Sequence, residues 1–232
     1  MIKKAGLVAA AIALSGCVME PTGPVRHESR SIERDTVERA RVELRMGAGD
    51  LRVEGGTSRL AQADFTYNVP SWKPYVRYTS SAGRADLSIE QPGGSHGHAG
   101  GARYRWDVRL SDEVPIDLVV HFGAGDARLD LGTLAVRRVE VNMGVGQLEM
   151  DLRGNPQHDY DVQVRGGVGE ATIRLPRDVG IFADARGGIG SIHSSGLHNE
   201  SGHLVNDAYA TAKVRIHVDV QGGIGEVRLM AD

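Results

Sequence analysis

The sequence predicts an all-β chain built as a parallel β-solenoid. This is a flattened β-helix of two-strand coils, each 21–23 residues long, preceded by an irregular β-rich N-terminal part. Three observations predict it. Gly-apolar-Gly occurs six times, as Gly47-Ala48-Gly49, Gly123-Ala124-Gly125, Gly144-Val145-Gly146, Gly167-Val168-Gly169, Gly188-Ile189-Gly190 and Gly223-Ile224-Gly225. The intervals are 76, 21, 23, 21 and 35 residues, so the middle of the chain is a regular array,. Apolar residues alternate on both sides of each triplet, and their parity flips across it.

The flip is plainest at the third triplet. Val139, Val141 and Met143 precede it at every second position, whereas Leu148, Met150 and Leu152 follow with the opposite parity. Alternation with period two marks a strand with one buried face. A flip means that one residue breaks the pleat. The same switch separates Val42, Leu44 and Met46 from Leu51 and Val53, and Leu118, Val120 and Phe122 from Ala127, Leu129 and Leu131. It recurs between Val162, Val164 and Ala171, Ile173, between Ile181, Ala183 and Ile192, and between Val218, Val220 and Val227, Leu229. Each unit therefore reads as strand, corner, strand, turn. The glycines supply backbone geometry that a side chain would forbid, and the middle apolar residue is expected to point inward. One such coil cannot bury its apolar faces alone, so coils stack on one another. A sandwich of hairpins is the alternative arrangement.

Taken in order, the elements begin with residues 1–16. Lys3 and Lys4 precede an apolar run from Ala5 to Leu14, and Ser15-Gly16 precede Cys17, the pattern of an export signal,. The apolar core is shorter than the ~20 residues a spanning helix needs. Leu14-Ser15-Gly16-Cys17 resembles the lipobox of bacterial lipoproteins. That resemblance implies cleavage before Cys17, a diacylglyceryl thioether on its sulfur and an acylated amino terminus. Two or three acyl chains make a stable anchor where one binds only marginally. Val18 stands where an aspartate would retain an enteric lipoprotein in the inner membrane, which favours the outer membrane, facing the periplasm, in a Gram-negative cell.

Residues 17–30, with Pro21, Gly23 and Pro24, read as a linker between lipid and fold,. Cys17 is the only cysteine, so no disulfide staples the exported part,. Removing the signal leaves 25 basic against 30 acidic residues, a formal charge of −5. That balance opposes a nucleic-acid partner, which needs a basic face.

Residues 31–117 form the N-terminal β region. Ala61-Gln62-Ala63-Asp64-Phe65-Thr66-Tyr67 and Ala85-Asp86-Leu87-Ser88-Ile89 alternate as strands do. This region is expected to begin the solenoid and cover its open end. Residues 118–232 are the repetitive solenoid, and the segment 197–211 is an insertion that enlarges one coil and caps or flanks the other end.

The corners Gly-Ala-Gly-Asp and Gly-Gly-Ile-Gly-Glu resemble those of the toast-rack family. So do Tyr67-Asn68-Val69-Pro70-Ser71-Trp72-Lys73-Pro74, Leu175-Pro176-Arg177-Asp178-Val179-Gly180 and Asn206-Asp207-Ala208-Tyr209. That family groups bacterial envelope proteins with the C-terminal domain of LiaF-like antibiotic-response proteins. The resemblance runs from about Ser31 to the end, implies a β-solenoid, and brings no catalytic residues.

Sites of other kinds find little support. A calcium-binding nonapeptide repeat needs an aspartate two residues after the second glycine, where this chain has Leu51, Ala127, Leu148, Ala171, Ile192 and Val227,. Asp50, Asp126, Glu170 and Glu226 directly follow the corners, with Gln147 and Ser191 in the same place, and read as a solvated column. His96 and His98 fall in a glycine-rich loop, His193, His198 and His203 sit in or beside the insertion, and all lack the cysteine partners of a closed zinc site,. No metal, cofactor or catalytic residue is expected. Trp72 and Trp106 are either a sugar-binding surface or core.

The function these readings imply is a non-catalytic, lipid-anchored cell-envelope protein. It acts as an interaction scaffold for an envelope protein partner, with a role in envelope stress response. An adhesin-like or carbohydrate-binding module is the alternative, and self-association through coil ends is a third reading.

Overall fold

The computed structural model describes residues 22–93 and 101–232. The expected export signal, Cys17, His96 and His98 lie outside the described residues.

Five strands run straight through their corners without losing sheet pairing: β2 (Arg39–Thr57), β7 (Ile116–Asp130), β8 (Val136–Asp151), β9 (Tyr160–Leu175) and β13 (Arg215–Ala231). A sixth, β10 (Gly180–Ser195), completes the set. Neighbouring strands pair in parallel and in register across the corner, so Ala48, Ala124, Val145, Val168, Ile224 and Ile189 form one column. The inner faces hold the alternating residues of both arms. Leu118, Val120, Phe122, Ala127, Leu129 and Leu131 are all buried, as are their counterparts in β8 and, except at the position of Phe122, those in β9 and β13.

The second corner glycine is where the pleat breaks. Its φ lies between +123° and +142° in all six copies, a region that side chains disfavour,. Crowding adds to this. A Cβ on Gly146 would collide with the Gly125 carbonyl oxygen, and one on Gly144 with that of Gly123. The same holds along the column from Gly123 and Gly125 through Gly167 and Gly169 to Gly223 and Gly225, and on to Gly188 and Gly190. The first copy differs. Gly49 faces the Tyr104 carbonyl, and Gly47 faces the side chain of Gln91.

One expectation is corrected. The middle corner residue does not point into the core: Val145 is 54% exposed and Ile189 71%. Because the backbone turns at this triplet, the inner faces of the two arms meet below it and leave it on the outer apex. The stack also departs from chain order, running β2–β7–β8–β9–β13–β10. The last strand is thus inserted between two earlier ones.

The N-terminal strands close the β2 end. β5 (Arg84–Glu90) pairs with the first arm of β2 and β6 (Tyr104–Ser111) with the second, both in parallel. β4 (Tyr75–Ser81) then adds antiparallel to β5, while β3 (Ala61–Tyr67) and β1 (Arg26–Ile32) add in turn beyond β6. Aromatic residues fill this end, with Phe65 and Tyr104 each edge-on to Trp106 at 5.7 Å. Trp106 is fully buried and belongs to the core, whereas Trp72 is partly buried and packs against that core through Tyr104 at 5.2 Å.

At the other end the insertion forms β11 (His198–Glu200) and β12 (His203–Val205). β12 pairs antiparallel with the first arm of β10 only, through Phe182 and Ala183. Buried Asn206 staples the insertion down. Its Nδ2 donates to the carbonyls of Val179 (2.7 Å) and Arg177 (3.1 Å), and its Oδ1 accepts from Ile181 N at 2.9 Å. Among the described residues no helix is long and apolar enough to cross a membrane.

Candidate functional site

The corner column changes composition along the stack. Alanine occupies it in β2 and β7, valine in β8 and β9, and isoleucine in β13 and β10. Exposed apolar surface therefore grows toward the β10 end. Below it a second column shrinks in step. Met46, Phe122 and Met143 fill the core beside the first three corners, but Gly166, Gly222 and Gly187 take that place in the last three. The missing side chains leave a cavity of about 160 Å³. Val164, Val220, Ala171 and Val227 line it, and Ile192 stands at its mouth, 39% exposed.

The same end leaves a sheet edge unpaired. Among the described residues, the second arm of β10 from Gly187 to Ser195 has β13 on one side and no strand on the other. Sheet edges are ordinarily blunted by charge, proline or cover, because bare N–H and C=O groups template further pairing. Here His193 is the one ionisable residue, and its Nε2 lies 3.4 Å from Glu226 Oε1.

The acidic residues after the corners do form a column, Asp50, Asp126, Gln147, Glu170 and Glu226, which ends at uncharged Ser191. Arginines two residues further along the strands answer it. Arg228 donates to Glu226 (2.6 Å) and Glu170 (3.4 Å), and Arg128 to Glu149 at 2.9 Å. Glu170 and Glu226 are thereby paired on the outer face, whereas Glu149 stands beside the column, two residues after Gln147.

The histidines of the insertion end up apart. His203 Nδ1 lies 2.7 Å from Asp184 Oδ1, and His198 Nδ1 lies 3.6 Å from Asp207 Oδ1. Among the described residues no group of three or more potential ligands is arranged to hold a metal. His203 instead stacks on Phe182, with centroids 4.5 Å apart. With Tyr209 and His217, this ring walls an outer groove of about 420 Å³ that also carries Arg138, Asp161 and Asp219. Sequence reasoning missed the groove, because its residues come from β8, β9, β10, β13 and the insertion.

Tyr67, Tyr104 and Tyr160 are the buried tyrosines among the described residues. Burial pushes the hydroxyls of Tyr104 and Tyr160 well above the ordinary tyrosine range, so both remain neutral packing groups,.

Comparison with known proteins agrees with this architecture. Residues 21–174 match the family described as the N-terminal domain of toast_rack. Residues 123–229 match the C-terminal domain of the cell wall-active antibiotics response protein LiaF. The fold is similar to the crystal structure of a proposed cell adhesion protein from Clostridium sporogenes. The TM-score is 0.86 at 28% identity, over 90% of this chain and all of that one. A proposed adhesin from Bacteroides fragilis aligns over 90% of this chain and 99% of its own, with a TM-score of only 0.36 and 9% identity. No curated protein matches the chain in sequence. With two thirds of its residues matched to the N-terminal domain and the stack of corners that the motifs demand, the chain belongs to the toast-rack family.

Proposed function

We propose that this protein is a non-catalytic scaffold, lipid-anchored through Cys17 in the cell envelope, whose solenoid engages a protein partner during envelope stress. One observation carries the reading: the β10 end of the stack presents exposed isoleucines beside an almost uncharged sheet edge. The β2 end is covered by β3–β6 and an aromatic core, whereas the β10 end presents isoleucines and a bare sheet edge. Exposed contiguous apolar surface on a monomer marks an interaction site. The match to a LiaF-type domain supports the antibiotic- and stress-response setting. The lipobox-like Leu14-Ser15-Gly16-Cys17 supports the anchor and, with Val18, an outer-membrane location facing the periplasm.

The test is a cross-linked pull-down of the tagged protein from intact envelopes beside a Cys17→Ala control. One dominant protein partner, lost with the anchor, supports the scaffold. Recovery of only the protein itself, or of glycan, overturns it.

A second reading, adhesion through a surface glycan, is favoured by the groove of Phe182, Tyr209 and His217 and by the description of the Clostridium sporogenes protein. Aromatic walls beside carboxylates suit the apolar faces and hydroxyls of a sugar. Saturable binding to purified envelope glycan, abolished by Phe182→Ala, would move the assignment to this reading.

A further inference from the structure

We infer that the second arm of β10 is a docking edge for an extended polypeptide strand of another protein, one carrying a large apolar residue directly before a Gly-small-Gly bend. The inference rests on the scaffold reading and names the site and the chemistry of its partner.

Four observations converge on it. The first is continuity. β12 already pairs with the first arm of β10 on this edge, and the free arm from Gly187 to Ser195 continues the same line of backbone groups. β12 and β11 extend the first-arm side by two strands, so the second-arm side is a notch roughly 9–10 Å deep at the usual strand spacing,.

The second is the bend. Throughout the stack, each coil meets the corner carbonyls of the coil before it with glycines, because any Cβ there would collide with those oxygens. The carbonyls of Gly188 and Gly190 are the last of this column and face the notch. A strand continuing the ladder must therefore have glycine at both places.

The third is the cavity. Gly187 is the last member of the column that begins with Met46, Phe122 and Met143. The residue placed next to Gly187 on an added strand would aim into the 160 Å³ space that the three glycines leave empty. An apolar cavity of about 150 Å³ accommodates a benzene ring, so a phenylalanine or methionine side chain fits it. The chain's own Phe122-Gly123-Ala124-Gly125 and Met143-Gly144-Val145-Gly146 have this form.

The fourth is charge. The acidic column ends at Ser191, and Ile189 and Ile192 flank it, so beside the corner the edge suits uncharged residues such as those of Met143–Gln147. A second copy is a poorer occupant for the parallel ladder. Its only chain-terminal corner, in β2, is already covered by Gln91 and the Tyr104 carbonyl. Strand addition of this kind takes affinity from main-chain hydrogen bonds and specificity from alternate side-chain pockets.

The experiment uses the full chain purified in detergent and a fluorescent peptide with the sequence Val139–Leu152. Saturable one-to-one binding is expected, with slowed amide exchange in residues 187–195. A peptide carrying valine in place of Gly144 and Gly146 should bind about tenfold more weakly or worse, as should the Ile192→Lys protein, a loss of ~1.4 kcal/mol or more. Circular dichroism on Ile192→Lys separates lost docking from lost folding, since Ile192 lies at the exposed end of the stack. Equal binding of both peptides, no binding, or protection of 187–195 by a concentration-dependent dimer without peptide would each overturn the inference. An envelope partner captured by the pull-down and cross-linked elsewhere would leave the scaffold standing and remove only this site.

Discussion

Gln91 Oε1 accepts hydrogen bonds from Gly47 N at 2.7 Å and Ala48 N at 3.1 Å, so a side-chain amide occupies the place that a glycine carbonyl takes in every later coil. The first corner is capped by a surrogate, and the last corner has none. Gln91→Ala should therefore loosen the β2 corner. The site is partly exposed and water replaces part of the bonding, so a loss of about 0.5–1.5 kcal/mol is expected in urea unfolding,. Faster amide exchange at Gly47 and Ala48, with the β10 end unchanged, would place the effect where the geometry puts it.

Two glycines three residues apart should respond oppositely to the same substitution. Gly169→Ala puts a Cβ into the Gly146 carbonyl at φ +138°, and should cost at least ~3 kcal/mol or prevent folding,. Gly166→Ala meets only Met143 Cε at 3.7 Å in the cavity, without positive φ. It should be neutral or stabilising by up to about 1 kcal/mol, since alanine loses less backbone entropy than glycine. Paired thermal melts decide this, and similar losses for both would refute the cavity.

Asn206→Ala strips the staple between the insertion and the turn at Arg177 and Val179. The Ile181 amide and two carbonyls lose their partners in a buried setting, at a cost of about 1–3 kcal/mol,. Proteolysis should then begin within the insertion before the β2 end is cut. A global loss of stability without local cleavage would contradict this.

Acid should weaken the N-terminal strands through Glu28. Lys73 Nζ at 2.9 Å and the donating Tyr67 hydroxyl at 2.7 Å hold its carboxyl below the ordinary range. A group with a depressed folded-state pKa stabilises fully above its unfolded value, ~4.3 for glutamate, and that stabilisation is lost as pH falls through the lower folded value. Lys73→Met should raise the Glu28 midpoint in an NMR titration and narrow the acid-stable window. An unchanged midpoint would remove the contact as its cause.

Much of the fold was legible because strand periodicity and glycine placement are local. The alternation of Val139, Val141 and Met143 against Leu148, Met150 and Leu152 names both buried faces and the break between them. The candidate site was less legible. Gly166, Gly187 and Gly222 look like ordinary neighbours of corner glycines, and only stacking shows that they stand where Met46, Phe122 and Met143 stand elsewhere. The inward assignment of Val145 and Ile189 failed for a related reason: alternation gives a side to each arm but none to a residue at the bend.

By itself, then, the sequence determined the two-arm coil, its corner glycines, the parallel stacking and the toast-rack kinship. The tertiary structure decided the order of the stack and what its ends present. Every coil offers the same alternating faces and the same Gly-x-Gly register, so backbone pairing does not distinguish one neighbour from another. Long-range contacts make that choice: Asn206 ties the insertion to the turn before β10, β12 pairs with Phe182 and Ala183 on the outer edge of β10, and β13 fills the place between β9 and β10.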